Sequence, residues 1–142
     1  MSLRLPKDLL QKIRRQGEDA FPYECCGFLL GSANGESRTV DLLQPAVNER
    51  EDAARHNRFL ITAENYLVAQ KQGGENNAEI LGFYHSHPNA PARPSQYDED
   101  HAWPWYSYVI VSVREGAASD TTSWVLRDDR SGFDEQKIES ID

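Results

Sequence analysis

The chain has 142 residues, with 15 Lys and Arg against 23 Asp and Glu, a formal net charge of −8 and a pI near 5.0. This length suits one compact domain, 1–142, and the acidic balance argues against tracking a nucleic-acid backbone. No apolar stretch approaches the ~20 residues of a bilayer span, and MSLRLPKDLL lacks a signal-peptide core, so a cytoplasmic protein without membrane partners is expected.

In chain order, Leu5, Leu9, Leu10 and Ile13 recur at helical spacing, which predicts a helix over 6–18 with Pro6 tolerated in its first turn. The run Lys12-Ile13-Arg14-Arg15 reads as a solvated face of that helix. Cys25 and Cys26 are adjacent; neighbours bridge only with strain, so two thiols are expected in a reducing compartment. Strands follow over 26–32 and 38–43, another begins near Ala46, and 57–61 reads as extended. Thr62 has the character of an N-cap for a helix through about 72, stopped by Gly73-Gly74. A strand over 79–87 leads to a short helix over 95–102, whose continuation Pro104 disfavours. Strands over 107–113, 121–127 and 133–138 complete the pattern. Helices interrupting a strand-rich chain predict an α/β fold, a mixed central sheet flanked by helices.

The stretch FYHSHPNAPARPSQYDEDHAWP, residues 83–104, holds three of the chain's four histidines. On a strand, His85 and His87 project to one face. The loop after them, stiffened by Pro88, Pro91 and Pro94, delivers Ser95 and Asp98, which share a helix face three residues apart. Two imidazoles and the Asp98 carboxylate would make a His2Asp site with its fourth position open, the form of catalytic rather than structural zinc. Plainer readings stand beside this one. An H-x-H can be a surface or satisfied core pair, Ser95-x-x-Asp98 has the form of a capping box, and Glu99, Asp100 and His101 read as a solvated acidic turn. Glu24, ahead of the first long strand, is a base candidate or a surface carboxylate. Cys25 and Cys26 read as small buried residues rather than nucleophiles. Trp103, Trp105 and Tyr106 read as core or groove residues.

Glu24, then His85-Ser86-His87, seven residues, Ser95, two residues and Asp98 resemble the signature of the JAMM (MPN+) metalloproteases at every position. PYECCGFLLG, GFYHSHP and YVIVSV resemble the flanking strands of small bacterial members. The resemblance implies a cytidine-deaminase-like fold. The deaminases themselves are excluded because the chain lacks H-x-E with P-C-x-x-C. It further implies Zn2+ held by His85, His87 and Asp98, proton transfer by Glu24, and an oxyanion hydrogen bond from Ser95. The implied activity is hydrolysis of the amide bond after the Gly-Gly tail of a ubiquitin-like or sulfur-carrier protein. Two alternatives stay open: removal of a ubiquitin-like modifier from target proteins, and a non-catalytic MPN scaffold.

Overall fold

The structure, a computed structural model, describes residues 2–46 and 62–142. The stretch 57–61, read from sequence as extended, lies outside the described residues. In order come β1 (Ser2–Pro6), α1 (Lys7–Ala20), β2 (Cys26–Asn34), β3 (Ser37–Ala46), α2 (Ala63–Glu75), β4 (Glu79–Pro88), α3 (Gln96–His101), β5 (Ser107–Arg114), β6 (Ala117–Leu126) and β7 (Phe133–Ile141). The sheet is mixed, as expected, and it closes into a barrel in the order β1-β3-β2-β4-β5-β6-β7.

Closure depends on β1, a strand the helical periodicity hides. Leu5 belongs to it rather than to the helix, and β1 lies parallel to both β3 and β7. Leu3 and Leu5 alternate inward with no exposure at all. Leu9, Ile13 and Gly17 of α1 pack into the same cluster with Leu29, Val109, Val111 and Val113. A side chain at position 17 would press its Cβ to 3.0 Å from Val113 Cγ2 and 3.3 Å from Ser86 Cβ, so glycine lets the helix settle onto the sheet.

The pairing of β6 with β7 covers only Ser123 to Leu126. Over the earlier part of β6, α1 supplies the partners. Arg14 donates to the Ser119 carbonyl at 2.6 Å and the Ala118 carbonyl at 3.1 Å, and the Ala118 N–H donates to Glu18 at 2.9 Å. Arg14 is therefore a structural cation, and Ile13 beside it is fully buried; the solvated-face reading of 12–15 fails at these two residues.

On the other face of the sheet, Phe28, Leu30 and Ile80 pack against Ala69 of α2. Thr62 caps α2 as expected, with a reciprocal bond to Asn65. The helix does not stop at the glycines, however, but runs through Gly73-Gly74 to Glu75. Gly73 is there for proximity: a Cβ would meet the Ala78 carbonyl at 2.7 Å. The strand placed near Ala46 is instead the end of β3.

One irregularity aims the later chemistry. Opposite Leu29 and Leu30, β4 pairs through Gly82 and Ile80 and leaves Leu81 as an extra residue. Ile80 and Phe83 then share the α2 face, while Leu81 and Tyr84 face α1. This bulge puts the odd-numbered residues that follow, His85 and His87, on the Phe83 side. It needs glycine at 82, where a Cβ would run into the Ser107 carbonyl.

Candidate metal centre

The end of β4 brings two buried imidazoles together, His85 at 1% and His87 at 7% exposure. Their Nε2 atoms lie 3.1 Å apart, and Asp98 Oδ2 stands 3.3 Å from the first and 3.1 Å from the second. Zinc bonds of ~2.0–2.1 Å in a tetrahedron imply donor-to-donor edges of roughly 3.3 Å, so this triangle has the size such an ion requires. The donor chemistry fits as well: borderline nitrogen and hard oxygen with no thiolate.

Asp98 reaches the triangle because α3 is capped around it. Ser95 Oγ accepts the Asp98 N–H at 3.1 Å, and Asp98 Oδ2 accepts the Ser95 N–H at 2.9 Å. The capping-box reading is thus realised, and the oxygen that closes the box is the one facing the histidines. A hydroxyl that accepts from Asp98 still has its own proton to donate, and Ser95 is exposed. At the other end of α3, Arg130 donates to the carbonyl of the C-cap residue Ala102 at 2.9 Å.

Glu24 arrives from the loop before β2, which is pinned to β4. Cys26 pairs with His85 in the sheet register, the Cys25 N–H donates to Ser86 Oγ at 2.8 Å, and the Ser86 N–H donates to the Cys25 carbonyl at 3.2 Å. Ser86, fully buried between the two histidines, is thus the bolt that fixes the backbone next to Glu24. Sequence reasoning passed over it as a spacer, and nothing in its spacing signals the role. Glu24 is 3% exposed, and its carboxylate groups with the ring nitrogens of His85 and His87, all within 4.8 Å of one another. Cys25 and Cys26 are thiols, the first half-buried and the second buried. Burial pushes the Cys25 thiol up to about 11, which leaves little thiolate for nucleophilic chemistry.

The electrostatics follow from burial and proximity. Burial pushes the Glu24 carboxyl up to about 8, with His87 pulling it down and Asp98 adding to the rise. For Asp98, burial alone would raise the carboxyl, but the two histidines outweigh it and hold it well below the usual carboxylate range. Burial lowers His85. At His87 burial acts the same way, but the hydrogen bond and charge of Asp98 prevail and raise it.

A groove of about 750 Å³ is lined by Tyr66 and Leu67 of α2, Phe83, Tyr97, Trp103 and Tyr106. Of its lining residues, Phe83 lies two positions before His85 on β4 and Tyr97 directly precedes Asp98 on α3. Trp103 and Tyr106 are groove residues, as anticipated. Trp105 instead covers the buried Arg38 guanidinium, 4.0 Å from its ring centre. His101 also borders the groove, and Asp100 is exposed.

A family model described as prokaryotic homologs of the JAB domain matches residues 6–127. The chain belongs to this family. Among its relatives, this JAB-domain protein is 34% identical over 93 residues to a desampylase of Haloferax volcanii, a match covering 64% of the chain and 63% of the relative. Two structures solved in solution share its fold. A protein from Salinibacter ruber is 41% identical with a TM-score of 0.76, covering 98% of this chain and 92% of that one. A protein from Desulfitobacterium hafniense is 30% identical with a TM-score of 0.86, covering 99% and 93%. Among the described residues, no helix is long and apolar enough to cross a membrane.

Proposed function

We propose that this JAB-domain protein is a zinc peptidase or isopeptidase that hydrolyses the amide bond after the C-terminal Gly-Gly of a small ubiquitin-like, sulfur-carrier-type protein. The observation that carries the reading is the donor triangle of His85, His87 and Asp98 with the buried Glu24 carboxylate beside it. His85, His87 and Asp98 would hold the ion. Bound there, zinc would polarise the scissile carbonyl and make water acidic enough to react near neutral pH.

The remaining roles belong to the chain. Glu24 takes a proton from the attacking water and returns it to the departing amine; burial raises its affinity for protons, and a cation beside it would lower that affinity again, as a base requires. Ser95 donates its hydroxyl proton to the oxygen that gains charge as the carbonyl is attacked. The aromatic groove takes the extended tail, where glycine passes without a Cβ to clash. The likeness to a desampylase favours a second form of the same chemistry, removal of a ubiquitin-like modifier from a target lysine. In this proposal residues 1–142 act as one domain of cytidine-deaminase-like fold, in the cytoplasm.

The test uses zinc-loaded protein and a ubiquitin-like protein carrying either a short peptide or a lysine-linked partner after Gly-Gly. Mass spectrometry should find cleavage after the second glycine, and none when that glycine is replaced by valine. Protein with one zinc per chain that cuts neither substrate would refute the proposed activity.

A further inference from the structure

The proline-rich loop between β4 and α3 is fastened carbonyl by carbonyl. Ser112 Oγ donates to the Ala90 carbonyl at 2.6 Å, His87 Nδ1 to the Pro91 carbonyl at 2.9 Å, and Thr122 Oγ1 to the Ala92 carbonyl at 2.7 Å. Three successive carbonyls meet three donors, from β5, β4 and β6 in turn. A carbonyl can only accept, so the middle contact requires the proton of the neutral His87 ring on Nδ1. The lone pair is then on Nε2, the atom that faces His85 and Asp98 at 3.1 Å each.

A competing arrangement lies close at hand. With the Pro91 carbonyl turned away, the same ring would gain by carrying its proton on Nε2 and donating it to Asp98. That nitrogen would then be closed to a cation, because a metal must displace any proton on its ligand. The loop therefore decides between two states of one imidazole. Its flanking anchors are well placed to hold it: Ser112 is 1% exposed, and Thr122 accepts the Trp124 indole N–H at 2.8 Å while donating to Ala92.

We infer that Ser112 and Thr122 are positioning residues whose hydroxyls hold the Pro91 carbonyl against His87 Nδ1 and so select the ring tautomer a metal ion needs. The inference rests on the proposed metal site, although neither hydroxyl is one of its donors. Partners that orient a ligating histidine typically govern ~10–100-fold in metal affinity.

The experiment compares wild type with Ser112→Ala, Thr122→Val, the double variant and Thr122→Ser, which keeps the hydroxyl. Zinc affinity is read by competition with a chromophoric chelator. The His87 tautomer is read separately from imidazole nitrogen shifts of metal-free protein in alkaline solution, where the ring is neutral. The double variant should bind zinc ~10–100-fold more weakly and shift the His87 proton toward Nε2, with Thr122→Ser matching wild type in both. A folded double variant with wild-type affinity and its proton still on Nδ1 would overturn the inference. So would a Thr122→Ser protein as impaired as Thr122→Val, because packing rather than the hydroxyl would then matter. Should the double variant not fold, the same two readings on Thr122→Val decide. If wild type itself binds no zinc, the metal reading fails, and the role of the loop is judged on the tautomer alone.

Discussion

Two regions of this small barrel bury polar side chains, and they do so in opposite ways. Inside the barrel, Arg38 donates to Ser107 Oγ at 2.9 Å, and Ser107 and Ser123 each donate to Gln136 Oε1 at 2.8 Å. Donor follows acceptor along that chain as far as Gln136 Oε1, although Gln136 Nε2 has no partner among the described residues, and Trp105 covers the guanidinium. At the end of β4, by contrast, two imidazole nitrogens of His85 and His87 and a carboxylate oxygen of Asp98 lie within 3.3 Å of one another. Only a proton or a cation can reconcile them. Burial of polar groups is therefore not in itself the mark of a site; convergence of several lone-pair-bearing atoms on a shared proton or cation is.

That contrast can be broken most sharply at Glu24. Glu24→Gln should lower turnover by at least ~10²–10⁴, the usual worth of a general base, while zinc content stays at wild type. Retained turnover would remove Glu24 from the chemistry, and lost zinc would make it a ligand instead. Ser95→Ala separates a cap from an oxyanion donor. Loss of the cap alone should cost ~1 kcal/mol of stability in a denaturant titration. Loss of the oxyanion bond should in addition lower kcat by ~10²–10³. A drop in stability with unchanged kcat would leave Ser95 only the cap.

A pH titration sharpens the comparison in metal-free protein. Glu24 is raised by burial from an ordinary 4.5 to about 8, so the folded chain binds this proton more tightly than the unfolded one. Stability from this group is present below about 4.5 and is lost as pH rises toward about 8. Thermal midpoints of metal-free protein should accordingly fall across that window, and Glu24→Gln should flatten the fall. Equal slopes in the two proteins would contradict it. The smallest effect is expected in the network inside the barrel: Arg38→Met should change stability by only about 1 kcal/mol, with metal content and turnover unchanged.

What the sequence disclosed followed from local spacing. H-x-H on a strand and S-x-x-D at a helix start are decided within a few residues, and the structure brings His85, His87, Ser95 and Asp98 to one place. Glu24 was placed by resemblance rather than by periodicity. Features resting on distant pairing stayed hidden. Ser2–Pro6 alternates over only five residues, too few to outweigh the helical spacing that follows, and it is a strand because β3 and β7 flank it. Arg14 looked solvated because its carbonyl partners are more than a hundred residues away. The bulge at Leu81 and the anchors Ser86, Ser112 and Thr122 carry no pattern of their own; each matters through what another strand presents to it.

The central claim is that the triangle holds a metal ion, and metal content tests it most directly. Elemental mass spectrometry on protein purified without chelators should find about one zinc per chain in wild type and in Glu24→Gln, and none in His87→Ala. A folded wild type that holds no zinc, even after zinc is added back, would contradict the account and leave the cluster as a proton-sharing core pair.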